Sequence, residues 1–341
     1  MKSIALLMVL CSSFAAAQPK ALFYMTTNPD SVKSFIDHVD KVDILVPAWY
    51  SVDGNGLVWG GPNADVIQTA AAHHVPVMPI VALMNQADLH KLFTTPAART
   101  AFTATLLSEC KRFGYSGFQI DFENVNWTDR DLLSSLVSDA ASVLHQENLQ
   151  LTIATVPNAP GYPGKSDYAH WLYANWRGGY DLKALAQSAD LICLMTYDQN
   201  TRWTPPGPVA GYSWTAANVD YALQFVPKEK LSMGIPIYGY HWYAGDPMKD
   251  NKPNPTADYI GQRDIDQYLA AYHPQVEWDP VDRTAWFYFY RDDSREWVFY
   301  TDKHSFGERL NLVRERGLEG FCSWVLGTED PQIWSLLPSH K

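Results

Sequence analysis

The stretch GFQIDFENV, residues 117–125, has the pattern of a buried strand that carries carboxylates. Its apolar residues alternate with Gln119, Asp121 and Glu123. Alternate residues of a strand face the same side, so these three polar side chains form one row, with neighbours roughly 6.5 Å apart. Carboxylates are rarely left among apolar residues without a partner or a task. The row therefore predicts either a buried ion pair or a functional site.

Apolar runs like this one recur along the chain and alternate with helical patterns. Strands that are apolar on both faces are typical of a parallel sheet covered by helices. Eight such units in a chain of 341 residues predict an α/β fold, the (β/α)8 TIM barrel. The predicted strands span 21–27, 43–50, 75–83, 117–123, 149–157, 191–198, 231–240 and 321–327.

The helical patterns lie between these strands, and several carry start or stop signals. Thr128 precedes one amphipathic pattern, and Gly114 and Gly317 follow two others. The predicted helices span 30–41, 63–74, 96–112, 128–147, 181–188, 216–225 and 305–316.

One stretch is left over between the seventh and eighth strands. Residues 244–303 contain a helical pattern and then TAWFYFYRDDSREWVFYTD, which reads as two aromatic strands around a tight turn. We expect a small α+β insertion on the rim of a single catalytic barrel that spans 18–341. A lesser hairpin is predicted over 52–59.

Composition and charge exclude several classes of partner. The formal net charge is −11, and no block of Lys or Arg stands out, so neither nucleic acid nor an anionic membrane surface is an expected partner. The chain has 13 Trp and 19 Tyr. We expect some of these rings to fill the core, but exposed Trp and Tyr rings are also the side chains on which sugar rings stack.

The N-terminus has the pattern of a secretory signal. One Lys precedes an apolar run that ends in Ala15-Ala16-Ala17, which predicts a signal peptide over 1–17. The run is too short to span a bilayer, and no later segment is long and apolar enough, so no membrane insertion is expected. The sequence predicts a secreted or periplasmic protein.

The cysteines indicate buried thiols, not a disulfide framework. Cys110, Cys193 and Cys322 remain after removal of the signal, and the last two lie in apolar runs. We expect buried thiols with at most one disulfide. No Cys or His pattern has the spacing of metal ligands, so no metal and no cofactor are expected.

Two carboxylates at the end of a barrel strand suit acid catalysis. Catalytic residues of TIM barrels collect at this end of the strands. Asp121 and Glu123 should push each other's pKa apart, which leaves one proton available near neutral pH. The alternative is a structural ion pair, but no obvious basic partner is present in 117–125 or at the other strand ends.

Several motifs resemble glycoside hydrolase family 18. That family carries D-G-x-D-x-D-x-E at its fourth barrel strand, and this chain has SGFQIDFE at 116–123. LMTYD (194–198), GIPIYGYHW (234–242) and GFCSWVLGTED (320–330) are similar to the family's motifs on strands six, seven and eight. The resemblance covers nearly the whole mature chain. The closing segment looks most like the branch with peptidoglycan- and spore-cortex-acting members and chitobiase-like enzymes.

The resemblance implies substrate-assisted hydrolysis of a β-linked N-acetylhexosamine, an exception to the two-carboxylate scheme of most glycosidases. In this family's mechanism Glu123 would protonate the leaving oxygen, and the substrate's acetamido oxygen would attack the anomeric carbon. Asp121 would orient the acetamido group, and Tyr197 would hydrogen-bond to it. Asp198 would assist substrate binding, and Trp324 would form the floor of the subsite.

Two tyrosines complete the predicted binding residues. Tyr24, at the end of the first strand, matches a family position that lines the same subsite. Tyr238, at the end of the seventh strand, would form part of the wall. Core filling is the alternative for both.

The chain departs from the family motif at two positions. Ser116 replaces the first Asp, a mainly structural position. Gln119 replaces the middle Asp, which in the family helps to cycle the proton of Asp121. We expect Gln119 to be one of the substrate-binding residues and to hydrogen-bond to Asp121 without sharing a proton, which predicts slower activity or a shifted pH optimum.

The sequence thus predicts a secreted, retaining glycosidase that cleaves β-1,4-linked N-acetylglucosamine in peptidoglycan or chitin-type glycans. One alternative is a lectin-like protein that keeps the groove without turnover, which Gln119 favours and Glu123 opposes. Another is a metal-dependent barrel hydrolase, for which the sequence offers no ligands.

Overall fold

The computed structural model describes residues 18–158, 162–245 and 256–340, so the predicted signal peptide (1–17) lies outside the described residues. The strands of the described part are β1 (Lys20–Met25), β2 (Ile44–Val52), β3 (Val58–Gly60), β4 (Ile80–Leu83), β5 (Gly117–Phe122), β6 (Gln150–Thr155), β7 (Leu191–Leu194), β8 (Leu231–Pro236), β9 (Gly239–Tyr243), β10 (Thr256–Ile260), β11 (Glu277–Asp279), β12 (Thr284–Arg291), β13 (Ser294–Tyr300) and β14 (Gly320–Trp324).

The helices pack around the strands, and none of those described is long and apolar enough to cross a membrane. They are α1 (Pro29–Asp37), α2 (Ala64–Ala72), α3 (Gln86–Thr94), α4 (Pro96–Phe113), α5 (Arg130–His145), α6 (Asp167–Leu172), α7 (Leu182–Ser188), α8 (Tyr212–Ala222), α9 (Gln262–Tyr272) and α10 (Lys303–Arg316). A π-helical turn, Tyr173–Arg177, follows α6, and short 3-10 turns span Val39–Lys41, Trp127–Asp129, Lys228–Lys230 and Pro331–Leu336.

Eight of the strands close into a parallel barrel. In barrel order they are β1, β14, β8, β7, β6, β5, β4 and β2, and the pairing of β1 with β2 closes the ring. The two-faced apolar runs thus form the (β/α)8 TIM barrel that the sequence predicts. Strand β3 pairs antiparallel with β2, which confirms the hairpin predicted over 52–59.

The strand that contains the opening motif shows how the barrel is filled. Phe118, Ile120 and Phe122 of β5 face outward into the large core between strands and helices. Other side chains, among them Cys193 and Cys322, pack in a separate cluster inside the barrel. Both thiols and that of Cys110 are buried and free, as expected.

The ends of the helices follow the local signals. Gly114 and Gly317 have φ of 71° and 62° directly after α4 and α10, and a residue with a side chain is disfavoured there. The start predicted at Thr128 lies two residues early, because the chain first makes the 3-10 turn 127–129 capped by Asn126. Helix α5 then begins at Arg130.

Most predicted strands are shorter than the apolar runs that indicated them, and three differ most from the prediction. In the run 75–83 the ladder begins at Ile80, because Pro76 and Pro79 have no N–H to donate. The run 191–198 leaves the strand after Leu194. The run 231–240 is two strands, β8 and the start of β9, which belong to different sheets. Strand β9 begins at Gly239, where a Cβ would lie 2.7 Å from the carbonyl oxygen of Phe299.

A second sheet stands on the rim of the barrel. Its five strands are antiparallel in the order β10, β9, β13, β12, β11. Strands β12 and β13 form the hairpin that the aromatic run predicts. Asp292 and Asp293 make its turn with φ of 50° and 63°, the signs that a two-residue type I′ loop requires. The side chain of Ile265 from α9 packs on one face of this sheet.

Candidate active site

A pocket of about 220 Å³ lies at the carboxyl-terminal end of the barrel strands. Strands β5, β7 and β14 and the loops that follow them bring its polar and aromatic side chains together. Of the residues singled out in the sequence, those that line this pocket are Tyr24, Asp121, Glu123, Tyr197, Asp198, Tyr238 and Trp324.

The two carboxylates of the opening motif have no basic partner. No Lys, Arg or His is among the described residues that line the pocket, and neither Asp121 nor Glu123 forms an ion pair there. Burial, with a smaller contribution from Glu123, raises the pKa of Asp121 to about 8. The ion-pair interpretation of the motif is therefore wrong, and the raised pKa favours the protonated form of Asp121 near neutral pH.

Glu123 is held by an indole that the sequence analysis did not single out. Trp176 Nε1 donates a hydrogen bond of 3.0 Å to Glu123 Oε2. Burial raises the pKa of Glu123, and the negative charge of Asp198 adds to the rise, whereas the hydrogen bond from Trp176 opposes it. A carboxyl group with a raised pKa and a fixed rotamer is suited to act as a general acid.

Asp198 lines the pocket and accepts hydrogen bonds from two tyrosines. Tyr238 Oη and Tyr240 Oη donate hydrogen bonds of 2.5 Å and 3.3 Å to Asp198 Oδ1. Burial raises the pKa of Asp198 even though both hydrogen bonds act in the other direction. The backbone of Asp198 has φ of 57°, which turns the chain sharply after Tyr197.

Aromatic rings make most of the remaining wall. The rings of Tyr24 and Trp324 lie 5.4 Å apart, and Tyr259 of β10 stacks on Tyr238 at 4.4 Å. Because Tyr259 comes from the second sheet, that sheet contributes directly to the pocket. Such faces suit the CH surfaces of a sugar ring.

Gln119 faces the inside of the barrel, as the alternation predicts, but it does not line the pocket as a substrate-binding residue would. Its side chain is fully buried below the pocket and is not among the residues that line it. The expected hydrogen bond to Asp121 is absent, because Gln119 Nε2 donates instead to Thr152 Oγ1 (3.1 Å) and Cys193 Sγ (3.2 Å). Ser116 is structural, since its hydroxyl donates to the carbonyl oxygen of Val77 at the other end of the strand.

Several residues of the site were not found from sequence. Trp176 lies in the π-helical turn 173–177, and Tyr259 lies in the second sheet. Met84 and Met195 also line the pocket. The only sequence signals for these residues are the large number of aromatic residues and the apolar runs. Neither signal shows which side chain reaches the site.

The arrangement can perform acid catalysis on a sugar. The carboxyl group of Glu123 is positioned by the indole of Trp176, and the buried carboxyl group of Asp121 lies near it. Tyr197 and Tyr238 line the same small aromatic pocket. A buried carboxylate close to a reacting atom stabilises positive charge strongly, because little water screens it.

Comparisons with known proteins show the family of this chain. The family model of the glycosyl hydrolases family 18 matches residues 20–329. An uncharacterized glycosylase of Bacillus subtilis, YvbX, is 22% identical over 95% of this chain and 92% of its own. The cortical fragment-lytic enzyme of the same species is 23% identical over 84% of this chain and 65% of its own. The crystal structure of a chitinase from Chromobacterium violaceum superposes with a TM-score of 0.82 and 25% identity, covering 93% of this chain and 97% of that one.

A family match over most of the chain, a closed barrel and the acidic aromatic pocket lead to one assignment. The chain belongs to the glycosyl hydrolases of family 18 and is a glycoside hydrolase.

Proposed function

We propose that the protein is a retaining glycosidase that cleaves β-1,4-linked N-acetylglucosamine by substrate-assisted catalysis, with Glu123 as general acid and base. The observation that carries this proposal is the composition of one pocket. Asp121, Glu123 and Tyr197 line it together, and burial raises the pKa of both carboxyl groups.

In the proposed first step, Glu123 gives its proton to the glycosidic oxygen, and the bond from that oxygen to the anomeric carbon breaks. The acetamido oxygen of the same sugar attacks the anomeric carbon and forms a cyclic oxazolinium ion. Asp121 lies beside the positive charge that develops. Its pKa of about 8 keeps the carboxylate form in equilibrium with the protonated form near neutral pH, and in the reacting fraction the carboxylate, which has given its proton to solvent, stabilises that charge. Tyr197 donates a hydrogen bond to the acetamido oxygen and holds it for attack.

In the second step, Glu123 accepts a proton from water while the water opens the oxazolinium ion. The two displacements at one carbon leave the β configuration unchanged. Trp324 and Tyr24 would lie against the face of the sugar, and Asp198 with Tyr238 would bind its polar edge.

The proposed substrates are peptidoglycan and, second, chitin-type glycans. The support is that similar proteins include a cortical fragment-lytic enzyme and a chitinase. We further propose that the protein acts outside the cytoplasm, which rests on the signal-like sequence over 1–17.

The acetamido group should be required for turnover. The protein lacking residues 1–17 should release nitrophenol from aryl β-chitobioside, and should be at least about a hundredfold less active on the matching aryl β-cellobioside, because an attached nucleophile is equivalent to a very high local concentration. Chromogenic assays on the two substrates measure this ratio, and NMR of the first product tests retention of the β configuration.

Two results would contradict the proposal. Equal rates on both substrates would mean that the acetamido oxygen is not the nucleophile. Binding of chito-oligosaccharides without turnover of aryl glycosides, polymeric chitin or peptidoglycan would favour the lectin-like alternative.

The hydrogen bond from Trp176 should set the alkaline limit of activity. In Trp176→Phe the ionised form of Glu123 loses a donor, so its pKa rises further, and the alkaline limb of the kcat/KM profile should move to higher pH. Trp171→Phe is the matched control, since Trp171 stacks on Tyr168 in the same loop. An unchanged limb in Trp176→Phe would mean that Glu123 is not the acid that this limb reports.

A further inference from the structure

A second cavity, larger than the catalytic pocket, lies next to it on the rim. We name it the rim groove. It has a volume of about 560 Å³, and the described residues that line it are 202–206, 242–244, 294–295 and Trp297. The first segment follows Tyr197 and Asp198 in the chain, and the others belong to β9 and β13 or follow β9 directly.

The walls of the rim groove continue those of the catalytic pocket. Asp198, in the wall of the pocket, precedes Arg202 by four residues. On the other side, Tyr240 donates to Asp198, and its ring lies 5.6 Å from that of Trp242, which lines the groove. The indole of Trp242 also donates hydrogen bonds to the carbonyl oxygens of Thr201 and Thr204. These hydrogen bonds connect the wall formed by β9 to the wall formed by the segment that follows Asp198.

The two cavities differ in the ionisable residues that line them. The catalytic pocket is lined by three carboxyl groups, those of Asp121, Glu123 and Asp198. The described lining of the rim groove has two arginines, Arg202 and Arg295, and no Asp or Glu. This lining contrasts with a chain that has 37 acidic and 26 basic residues.

Both arginines are positioned by aromatic rings. The guanidinium of Arg202 lies 5.3 Å from the centre of the Trp203 ring. That of Arg295 lies 4.9 Å from the Tyr288 ring and 5.4 Å from the Trp297 ring. Arg295 Nε and Nη2 donate to Tyr290 Oη, at 3.1 Å and 2.7 Å. Stacking on a ring leaves the N–H groups of a guanidinium available for hydrogen bonds. In Arg295 the edge formed by Nε and Nη2 is used by Tyr290, and the edge formed by Nη1 and Nη2 remains for an anion.

Neither arginine has an acidic partner in the described structure. Arg291 of the same hairpin pairs with Glu296, and Arg283 pairs with Glu308, but Arg202 and Arg295 form no ion pair with any described residue. Two unpaired guanidinium groups in one aromatic groove match a flat, carboxylate-bearing ligand, because guanidinium binds carboxylate in a planar, two-bonded geometry.

We propose that the rim groove binds a carboxylate carried by the glycan next to the sugar in the catalytic pocket, so that the enzyme prefers acidic glycans to neutral ones. This inference rests on the proposed function and narrows it to carboxylate-bearing N-acetylglucosamine polymers. The carboxylate could belong to a sugar, as in the lactyl ether of muramic acid, or to an attached peptide. Both sources present the same chemistry to Arg202 and Arg295.

The test compares kcat/KM on three glycans of equal length. They are a neutral chito-oligosaccharide, a peptide-free N-acetylglucosamine–muramic acid oligosaccharide with a free lactyl carboxylate, and the same oligosaccharide with its stem peptides. In Arg202→Gln/Arg295→Gln, kcat/KM for at least one acidic glycan should fall about tenfold or more, mainly through KM. The value for the neutral glycan should stay within about twofold.

Controls separate this effect from a general change of charge. Arg112→Gln/Arg314→Gln removes the same two charges elsewhere, and it should leave all three values unchanged. The wild-type preference for acidic glycans should shrink with added salt, and the groove variant should lose that salt dependence. A loss confined to the peptide-bearing glycan would assign the carboxylate to the peptide, and a loss on the peptide-free glycan would assign it to the sugar.

The failure of this inference differs from the failure of the proposed function. If wild type cleaves the neutral glycan and the groove variant loses nothing on either acidic glycan, the inference is wrong and the glycosidase stands. An equal loss on all three glycans would also overturn it, because the groove would then not select charge. If wild type cleaves none of them, the proposed function fails, and calorimetric binding of the acidic glycans to wild type and groove variant then decides the inference alone.

Discussion

Glu123→Gln should lower kcat for chito-oligosaccharides and peptidoglycan fragments by at least about a hundredfold, the scale expected when a general acid is removed. Glutamine keeps the shape of the side chain and can still accept the hydrogen bond from Trp176, so the pocket should remain intact. Its amide cannot deliver a proton to the leaving oxygen. Steady-state kinetics on the two proteins measure the loss.

The leaving group distinguishes an acid from a structural residue. An aryl glycoside with a dinitrophenol leaving group needs little protonation, so the loss in Glu123→Gln should be much smaller on this substrate than on an oligosaccharide. Equal losses on both would mean that Glu123 holds the pocket together and does not supply the proton. Glu319→Gln is the control, since Glu319 pairs with Lys20 at the opposite end of the barrel and should keep full activity.

The barrel could be predicted from sequence because its signal is local and repeated. Each strand is a run of apolar residues, and each helix has its own periodic pattern of apolar residues and its own capping residues. Helix α3 was missed although Asn85 caps it and Leu89, Leu92 and Phe93 are its buried face. It is followed after a single residue, Thr95, by Pro96, the first residue of α4, so only one helical pattern was recognised there.

The carboxylate motif could be located because a strand fixes the direction of its side chains. Asp121 and Gln119 do face inward on β5, as the alternation requires. The alternation does not show how deep each side chain lies along the barrel axis. Gln119 lies one step further from the rim than Asp121, and there it meets Thr152 and Cys193 of neighbouring strands.

Contacts between distant segments could not be predicted in this way. Trp176 and Glu123 are 53 residues apart, and their hydrogen bond depends on a π-helical turn in a long loop. Tyr259 reaches the pocket only because β10 pairs with β9 in the second sheet. Both contacts follow from tertiary packing, which no local pattern of either segment records.

Asp121→Asn should lower kcat by about a hundredfold or more, because the neutral amide cannot stabilise the positive charge of an oxazolinium ion in a buried pocket. Asparagine is nearly isosteric with the protonated carboxyl group, so ground-state binding and KM should change little. The loss should therefore appear in kcat. Kinetics on aryl chitobioside check this, with Asp43→Asn, which replaces a carboxylate that binds the backbone N–H of Ala21, as a control for the substitution itself.

The pH dependence of stability should show that the variant is folded and that Asp121 is protonated at rest. The folded pKa of about 8 lies above the unfolded value of roughly 4, so the folded state binds this proton more tightly. The stability it contributes is complete below about pH 4 and is lost as the pH rises toward 8. The amide of the variant stays neutral throughout, so the Tm of Asp121→Asn should match wild type near pH 4 and exceed it at pH 8.

The two measurements on Asp121→Asn constrain each other. If Asp121→Asn is more stable than wild type at pH 8 and yet at least about a hundredfold slower, the substitution has removed a charge from the pocket. That charge is costly to bury and is useful only when positive charge develops on the sugar. A lower Tm than wild type at every pH would instead mean that Asp121 is ionised and satisfied in the folded protein. In that case the raised pKa would be wrong, and the proton for the leaving group would have to be held by Glu123 alone.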